Sequence, residues 1–346
     1  MLLSIFSDLA GWIETTFDNI ASIEPIYLVI GFAFQFGQTL LNSVAWRNVL
    51  QAAYPDKHVL QKEISAAYAG GVGLNSVLPG QAGTVTYLAL FRASISGSSV
   101  TTIVSGAAVQ AIFWSTVGGL VYLALFLSAP GSFEEALGSV WTWMGDHLVV
   151  TLVIIAGTAV MLAIAVRVVK RKLRAQWEQA GQGAAILHTP RRYLARVVVF
   201  QALSYGCRIG VNVTFMLAYN IDPTPRNVFI VIAAASIAAV FSVAPGGVGA
   251  TTAVLLIALS GEASQATITA YSVGQQAACM LANICLGVLL MVKVFGWDAT
   301  RSVMHRKKKP KGEKESTTDE AEELAAQLEK ARAQRAAKEH PTDPPP

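Results

Sequence analysis

Long stretches without a charged residue constrain this chain more than any other feature of its sequence. Val149–Val166 comprises eighteen residues with no charged side chain, and as a helix rising 1.5 Å per residue it covers most of the ~30 Å hydrocarbon core of a bilayer. Comparable stretches lie at Ile26–Trp46, Val100–Ala129 and Ala266–Val292. A soluble protein accommodates one such stretch as a buried core helix, but four of them predict an all-α, polytopic membrane bundle.

Basic residues are concentrated in two segments, which predicts the orientation of the chain. Lys170–Arg192 and Arg301–Lys311 each contain six Lys or Arg residues, whereas residues 1–24 and 130–146 contain none. The positive-inside rule therefore predicts a cell-membrane protein with its amino terminus outside and its carboxyl terminus in the cytoplasm. Basic clusters next to spans favour contact with anionic lipid and disfavour nucleic acid as a partner.

The same patterns divide the chain into three parts. Residues 1–24 carry apolar residues at helical spacing and predict an amphipathic helix at the interface. Residues 25–296 form the transmembrane domain. It comprises repeat one (25–128), a connecting span (147–169), a cytoplasmic linker (170–192) and repeat two (193–296). Residues 297–346 form a tail that is basic at first and then rich in Glu, Ala and Lys.

Cysteine and histidine are placed in a way that predicts no metal site, no catalytic group and no cofactor. The three cysteines lie inside apolar segments, where they are typical of small buried side chains. The five histidines are scattered through connecting segments and the tail. We therefore expect a protein that is not an enzyme.

The chain repeats itself at an offset of 166 residues. Residues 76–113 and 242–279 align without a gap and share 12 identities in 38 positions, including a Pro-Gly-x-x-Gly motif and a Gln-Ala pair. By the charge argument, the helix near 26–46 enters from outside and the helix near 193–219 enters from the cytoplasm. This predicts two inverted repeats, the plan of many secondary transporters.

The two Pro-Gly motifs predict interruptions inside the membrane domain. Proline removes a backbone donor, and broken helices are tolerated at membrane depth only where protein or a polar cavity covers them. We expect two helical hairpins, 64–78 with 84–93 and 228–243 with 251–259. The helix starts near Thr84 and Ala250 would direct unsatisfied N–H groups at an anion such as a lipid phosphate. The alternative is that each motif is a tight turn between ordinary spans.

Arg208 is a charged residue near the centre of a predicted span. An arginine at this depth costs about 2.5 kcal/mol or more, so it is expected to face a partner or a wet cavity. It is either a phosphate ligand or a structural partner of a carboxylate or carbonyl group. Nearby asparagine and glutamine side chains are expected to hydrogen-bond between helices.

Both Pro-Gly motifs resemble those of a known family. Asn75-x-x-Leu78-Pro79-Gly80-x-x-Gly83 with Arg92, and Pro245-Gly246-Gly247-Val248-Gly249, resemble the signatures of the lysylphosphatidylglycerol synthase/flippase transmembrane-domain family. The resemblance implies a domain that translocates lipid. The candidate lipid-binding residues are Asn75, Pro79, Gly80, Gly83, Thr84, Arg92, Arg208, Pro245, Gly246, Gly247, Gly249, Thr251 and Thr252.

The chain departs from the family pattern at charged positions. Gln81 and Thr84 stand where the family commonly has a basic and an acidic residue, and Thr251-Thr252 stand where it usually has Arg-Glu. A mechanism that needs these membrane carboxylates is therefore not expected. We expect translocation of an anionic phospholipid or a polyprenyl-linked amphiphile. The alternatives are a lipid-binding scaffold that partners an envelope-biosynthesis enzyme, and a small-solute secondary transporter.

Overall fold

The computed structural model of the protein describes residues 23–77, 82–95, 97–128, 181–241 and 248–297. All regular structure in these ranges is helical, which confirms the predicted all-α class. Four predicted segments lie wholly or mostly outside the described residues: the amphipathic start, the connecting span 147–169, the first part of the linker and the tail. The principal helices are α1 (Pro25–Ala53), α2 (Gln61–Val77), α3 (Ala82–Ser94), α4 (Val100–Ser128), α5 (Pro190–Ala218), α6 (Pro225–Phe241), α7 (Val248–Ala258) and α8 (Gln265–Phe295).

Four of these helices are long and apolar enough to cross a membrane, which confirms the predicted membrane bundle. They are α1, α4, α5 and α8, and their apolar segments are 26 to 31 residues long. The pattern long, short, short, long therefore occurs twice, once in α1–α4 and once in α5–α8. A turn of π-helix at Leu194–Val198 interrupts the start of α5.

The short helices form the two expected hairpins, α2 with α3 and α6 with α7. Helix α3 has 13 residues and α7 has 11, which gives lengths of only about 20 and 17 Å. Neither helix spans a hydrocarbon core of ~30 Å. These lengths favour hairpins that enter the membrane and return to the same side over tight turns between ordinary spans, and the path through the membrane stays a prediction.

Helices α1 and α5 occupy equivalent positions in the two repeats, and they cross antiparallel. A Cβ placed on Gly31 would lie 2.7 Å from the ring of Phe215, and one on Gly37 would lie 3.1 Å from Cys207 Sγ. Toward the other end of α1, the amide of Asn48 donates to the carbonyl oxygen of Arg196 at 2.6 Å. From one contact to the next, residue numbers increase along α1 and decrease along α5. The two helices therefore run in opposite directions.

The crossing point itself joins two equivalent residues. Ser204 Oγ donates to the carbonyl oxygen of Gln38 at 3.0 Å, and the two residues are 166 positions apart. Antiparallel helices that meet at equivalent residues are related by a twofold axis perpendicular to both. Because α1 and α5 are both long enough to span the bilayer, this axis lies in the membrane plane, as predicted for inverted repeats.

The open ends of the two hairpins lie at opposite ends of the bundle. Around hairpin α2–α3, the backbone N–H of Ser99 donates to Tyr54 Oη, and Arg47 donates to the carbonyl oxygen of Val59. Around hairpin α6–α7, Arg226 pairs with Glu262 at 3.3 Å. The first end also carries the basic residues Lys57, Lys62, Arg191, Arg192 and Arg196.

Glycine allows the backbones of α2, in the first repeat, and α8, in the second repeat, to come into close contact. A Cβ on Gly73 would lie 2.9 Å from the carbonyl oxygen of Asn283, and one on Gly287 would lie 2.7 Å from that of Ala69. Small residues of this kind are typical of membrane interfaces where backbones approach each other. The repeat relates α2 and α8 to α6 and α4. In this second pair, Ala239 stands at the position of Gly73 and Val121 at the position of Gly287.

We predict that Gly287→Ala destabilises the protein while Gly119→Ala does not. The added methyl group at residue 287 meets the backbone of α2, and overpacking of this kind costs about 1–3 kcal/mol. At Gly119, on α4, a Cβ would meet none of the described residues within 4 Å, and alanine favours the helix by up to ~1 kcal/mol. Thermal unfolding of the two variants in detergent measures the difference. Equal unfolding temperatures would contradict the close approach of α2 and α8.

Candidate functional site

Asn75 closes the inner end of the first hairpin. Its Oδ1 accepts from the backbone N–H of Gly83 at 2.7 Å and of Thr84 at 3.2 Å, and its Nδ2 donates to Thr84 Oγ1 at 3.0 Å. This side chain satisfies two of the donors that a helix start leaves without an intrahelical partner. The expectation that unsatisfied N–H groups near Thr84 point at an anion is therefore wrong, because Asn75 already binds them.

Gly83 allows the two helices of this hairpin to touch. A Cβ at this position would overlap the carbonyl oxygen of Gly71 and lie 2.6 Å from the backbone nitrogen of Asn75. The residue thus has a packing role within the hairpin. Its repeat equivalent, Gly249, is exposed, and a Cβ there would meet none of the described residues within 4 Å.

The second hairpin is built differently at its inner end. Phe241 stands where the first hairpin has Asn75, so the amide cap has no counterpart in the second repeat. Thr252 Oγ1 hydrogen-bonds Ser272 Oγ of α8 at 2.8 Å, and Gln276 donates to the same Ser272 hydroxyl at 2.9 Å. Thr251 lies beside Thr252 in the first turns of α7. Pro79, Gly80, Pro245, Gly246 and Gly247 lie outside the described residues.

Arg92 and Arg208, the two candidate cations, lie in different environments. Arg92 is in the last turn of α3, where its carbonyl oxygen accepts from Ser98 Oγ at 3.2 Å. Arg208 is half-buried near the middle of α5. Its guanidinium forms no ion pair with any carboxylate in the part of the chain that the structure describes.

Two tyrosine side chains lie near Arg208. Tyr205, one turn earlier on α5, and Tyr122 of α4 are both close enough to interact electrostatically with the guanidinium. Trp114 of α4 packs against Tyr205 with its ring centroid 6.0 Å away. The Tyr205 hydroxyl is buried and has no hydrogen-bond partner among the described residues. This cluster of Arg208, Tyr205, Tyr122 and Trp114 is called the arginine cluster below.

The sequence predicted Arg208 but missed the three aromatic members of the arginine cluster. The spacing of Tyr205 and Arg208, three residues apart on a helix, is a signal that places both side chains on one face. Tyr122 and Trp114 come from α4, and nothing in the sequence links that helix to this face of α5. The structure therefore brings together Arg208 with the tyrosines, and Asn75 with Gly83 and Thr84. It shows no hydrogen bond or ion pair from Arg208 to the described part of either hairpin.

Hydrogen bonds between helices are present at part of the predicted asparagine and glutamine side chains, whereas Gln276 bonds Ser272 within α8. Asn212 of α5 accepts from Gln275 of α8 at 2.9 Å, and Gln201 of α5 donates to Gln110 of α4. Gln35 of α1 donates to Asn283 of α8 at 2.9 Å. These amides connect α5 to α4 and α8, and they connect α1 to α8. Paired amides of this kind are a common way of holding membrane helices together.

Fold and site together define an α-helical integral membrane protein with two inverted repeats and an arginine in mid-span that pairs with no carboxylate among the described residues. The family model for the lysylphosphatidylglycerol synthase TM region matches residues 5–287. The chain therefore belongs to this family, as its Pro-Gly motifs indicate. Comparison with curated proteins and with solved structures gave no match.

We predict opposite outcomes for two equivalent glycine substitutions. Gly83→Ala places a methyl group on the Gly71 carbonyl oxygen and should destabilise the first hairpin by about 1–3 kcal/mol. Gly249→Ala adds a methyl group that meets none of the described residues and should leave the unfolding temperature unchanged or slightly raised. Thermal unfolding in one detergent, with the two proteins side by side, measures this. Equal losses in both would show that the repeats pack alike.

Proposed function

We propose that this protein translocates an amphiphilic lipid with an anionic phosphate headgroup between the leaflets of the cell membrane. The observation that carries the proposal is the antiparallel crossing of α1 and α5, which relates two hairpins that enter from opposite sides. A carrier that serves both leaflets needs a similar structure facing each leaflet. Two inverted repeats of the same fold provide one such structure on each side of the membrane.

Arg208 supports an anionic ligand. A charge in mid-span is costly unless a partner or water faces it, and no described carboxylate pairs with this guanidinium. Phosphate matches the guanidinium because both form paired, charge-assisted hydrogen bonds. The structural alternative, an ion pair inside the bundle, has no support among the described residues.

Unequal packing of the two halves supports movement between them. Gln201 pairs with Gln110 of α4, and the equivalent bond in the other half would join Gln35 to Gln276. Gln35 instead pairs with Asn283, which lies two helical turns further along α8. The long helix that these glutamines contact is therefore bonded at a different point in each half. Exchange of the two arrangements would expose the centre of the bundle to opposite sides in turn.

A vesicle assay tests the proposal. The purified protein is reconstituted into vesicles that contain a trace of fluorescent phosphatidylglycerol, and a membrane-impermeant reductant then bleaches the outer leaflet. We expect the inner-leaflet fluorescence to be lost faster than in protein-free vesicles, with Gly119→Ala as the folded, active control. If the protein does not accelerate the transfer of any phospholipid between the leaflets, translocation is refuted.

A lipid-binding scaffold is the alternative from another class. It shares the anionic site but predicts that lipid is held without transfer, and that deletion of residues 301–346 abolishes function because the basic tail would dock a partner enzyme. Mass spectrometry of lipid retained in mild detergent separates both readings from a small-solute transporter. Retained phospholipid or polyprenyl lipid supports a lipid translocator or a lipid-binding scaffold. The absence of retained lipid supports a small-solute transporter.

The proposed orientation places the basic end of the bundle in the cytoplasm. Asp56 and Asp222 are exposed repeat equivalents at opposite ends, so they serve as matched reporters. With Cys207, Cys279 and Cys285 replaced by alanine, we expect an impermeant maleimide to label Asp222→Cys in intact cells. Asp56→Cys should react only after permeabilisation. The reverse pattern would invert the assigned topology.

A further inference from the structure

One end of the bundle carries a cluster of cationic side chains. The residues of this cluster, called the basic surface below, are Lys57, Lys62, Arg191, Arg192 and Arg196. All of them are exposed except Lys57, which is partly exposed. The acidic residues that the structure describes at this end are the exposed Asp56 and the buried Glu63. The described part of this end therefore has a large excess of positive charge.

Two segments that are distant in the sequence form the basic surface, and α1 connects them. Arg47 Nε donates to the carbonyl oxygen of Val59 at 3.2 Å, in the loop that contains Lys57. Asn48, the next residue of α1, donates to the carbonyl oxygen of Arg196 at 2.6 Å. The loop before α2 and the start of α5 thus lie side by side at the same end of α1. Their cations form one continuous surface.

The carboxyl-terminal tail begins beside the basic surface. Phe295, the last residue of α8, packs against the apolar cluster that contains Tyr54 and Val59. Glu313 lies sixteen residues after Trp297, and a fully extended chain of this length covers about 50 Å. Residues beyond Glu313 are therefore within reach of every cation of the basic surface.

The tail contains an acidic segment of matching charge. Residues 313–323 carry six acidic side chains and one basic side chain. Residues 167–180, which precede α5, carry five basic and one acidic side chain, so they add to the positive charge. The acidic residues of 1–24 and 130–146 are predicted on the other side of the membrane. Outside the described residues, charge and predicted location therefore favour 313–323 as the partner of the basic surface.

The basic run 301–311 is the competing partner for the same acidic segment. A basic run next to a span is attracted to the anionic headgroups of the leaflet, which repel carboxylates. The basic surface is then a cationic partner that the acidic segment can reach without approaching the leaflet. Single exposed ion pairs contribute little, but tethering makes the contact intramolecular, so several weak pairs act together.

We propose that residues 313–323 dock on the basic surface and shield it from anionic headgroups. The occupant of the surface is thus a segment of the same chain, held by charge pairing. Docking requires only that the tail and the basic surface share one end of the bundle. It does not depend on the translocation of lipid.

Carbodiimide cross-linking, which joins a lysine amine to a carboxylate in direct contact, tests the docking. The full-length protein is treated in nanodiscs of phosphatidylcholine and phosphatidylglycerol, and peptide mass spectrometry locates the bonds. We expect Lys57 and Lys62 to be joined to carboxylates of 313–323. Bonds from this segment only to the lysines of 307–311, or no bonds from it, would overturn the docking. Bonds between isotope-labelled and unlabelled copies would overturn the intrachain contact.

Two repeat-equivalent substitutions are matched controls for location. Asp56→Lys adds an amine beside the basic surface, and Asp222→Lys adds one at the opposite end, both at exposed positions. We expect only the lysine at position 56 to be joined to residues 313–323, because the membrane separates position 222 from the tail. Equal cross-linking of the two added lysines would overturn the assigned surface.

Charge removal tests whether ion pairing holds the segment. Arg191→Gln combined with Arg192→Gln should lower the yield at Lys57 and Lys62 by about three-fold or more, whereas Arg226→Gln at the opposite end should leave it unchanged. Raising the salt concentration from 0.1 to 1 M should also lower the yield, because the screening length falls from about 10 to about 3 Å. A yield that responds to neither change would overturn charge pairing.

Removal of the acidic side chains tests the shielding. The variant combines Glu313→Gln, Glu315→Gln, Asp319→Asn, Glu320→Gln, Glu322→Gln and Glu323→Gln. We expect it to retain about three-fold or more phosphatidylglycerol relative to phosphatidylethanolamine in mild detergent, measured by mass spectrometry, because the basic surface is uncovered. Glu329→Gln with Glu339→Gln, in the rest of the tail, should leave the ratio unchanged. An unchanged ratio in the first variant would overturn the shielding.

Discussion

The antiparallel crossing of α1 and α5 is the contact on which the rest of the architecture depends. Gly31 and Gly37 let side chains of α5 approach the backbone of α1, and Ser204 binds Gln38 where the two repeats meet. Without a hydrophobic driving force inside lipid, close packing and hydrogen bonds of this kind hold helices together. Once this crossing is fixed, each hairpin is committed to one side of the membrane.

Departures from symmetry matter as much as the symmetry itself. Asn75 caps the first hairpin, whereas Phe241 stands at the equivalent position of the second repeat. Gly83 lets the two helices of the first hairpin touch. The first hairpin therefore has an internal cap and a close helix contact that depend on Asn75 and Gly83.

Most of the fold follows from the sequence because the bilayer permits few solutions. Uncharged stretches long enough to span it predicted the long helices, and the offset of 166 residues predicted two equivalent halves. The inner end of the first hairpin was not predicted correctly, since the reach of Asn75 to Gly83 and Thr84 depends on a turn that brings them together. The aromatic members of the arginine cluster were missed because Tyr122 and Trp114 meet Arg208 only through tertiary packing of α4.

A single arginine is sufficient for a carrier with two inverted halves, provided that it lies near the axis relating them. The repeat equivalent of Arg208 is the buried Asn42, so the charge is present once. Arg208 lies one turn from Ser204, at the crossing, which is a distance of about 6 Å along α5. In the proposed carrier, a group this close to the axis would keep nearly the same depth when the halves exchange their arrangements. The same guanidinium would then hold the phosphate from either side, while only the helices around it rearrange.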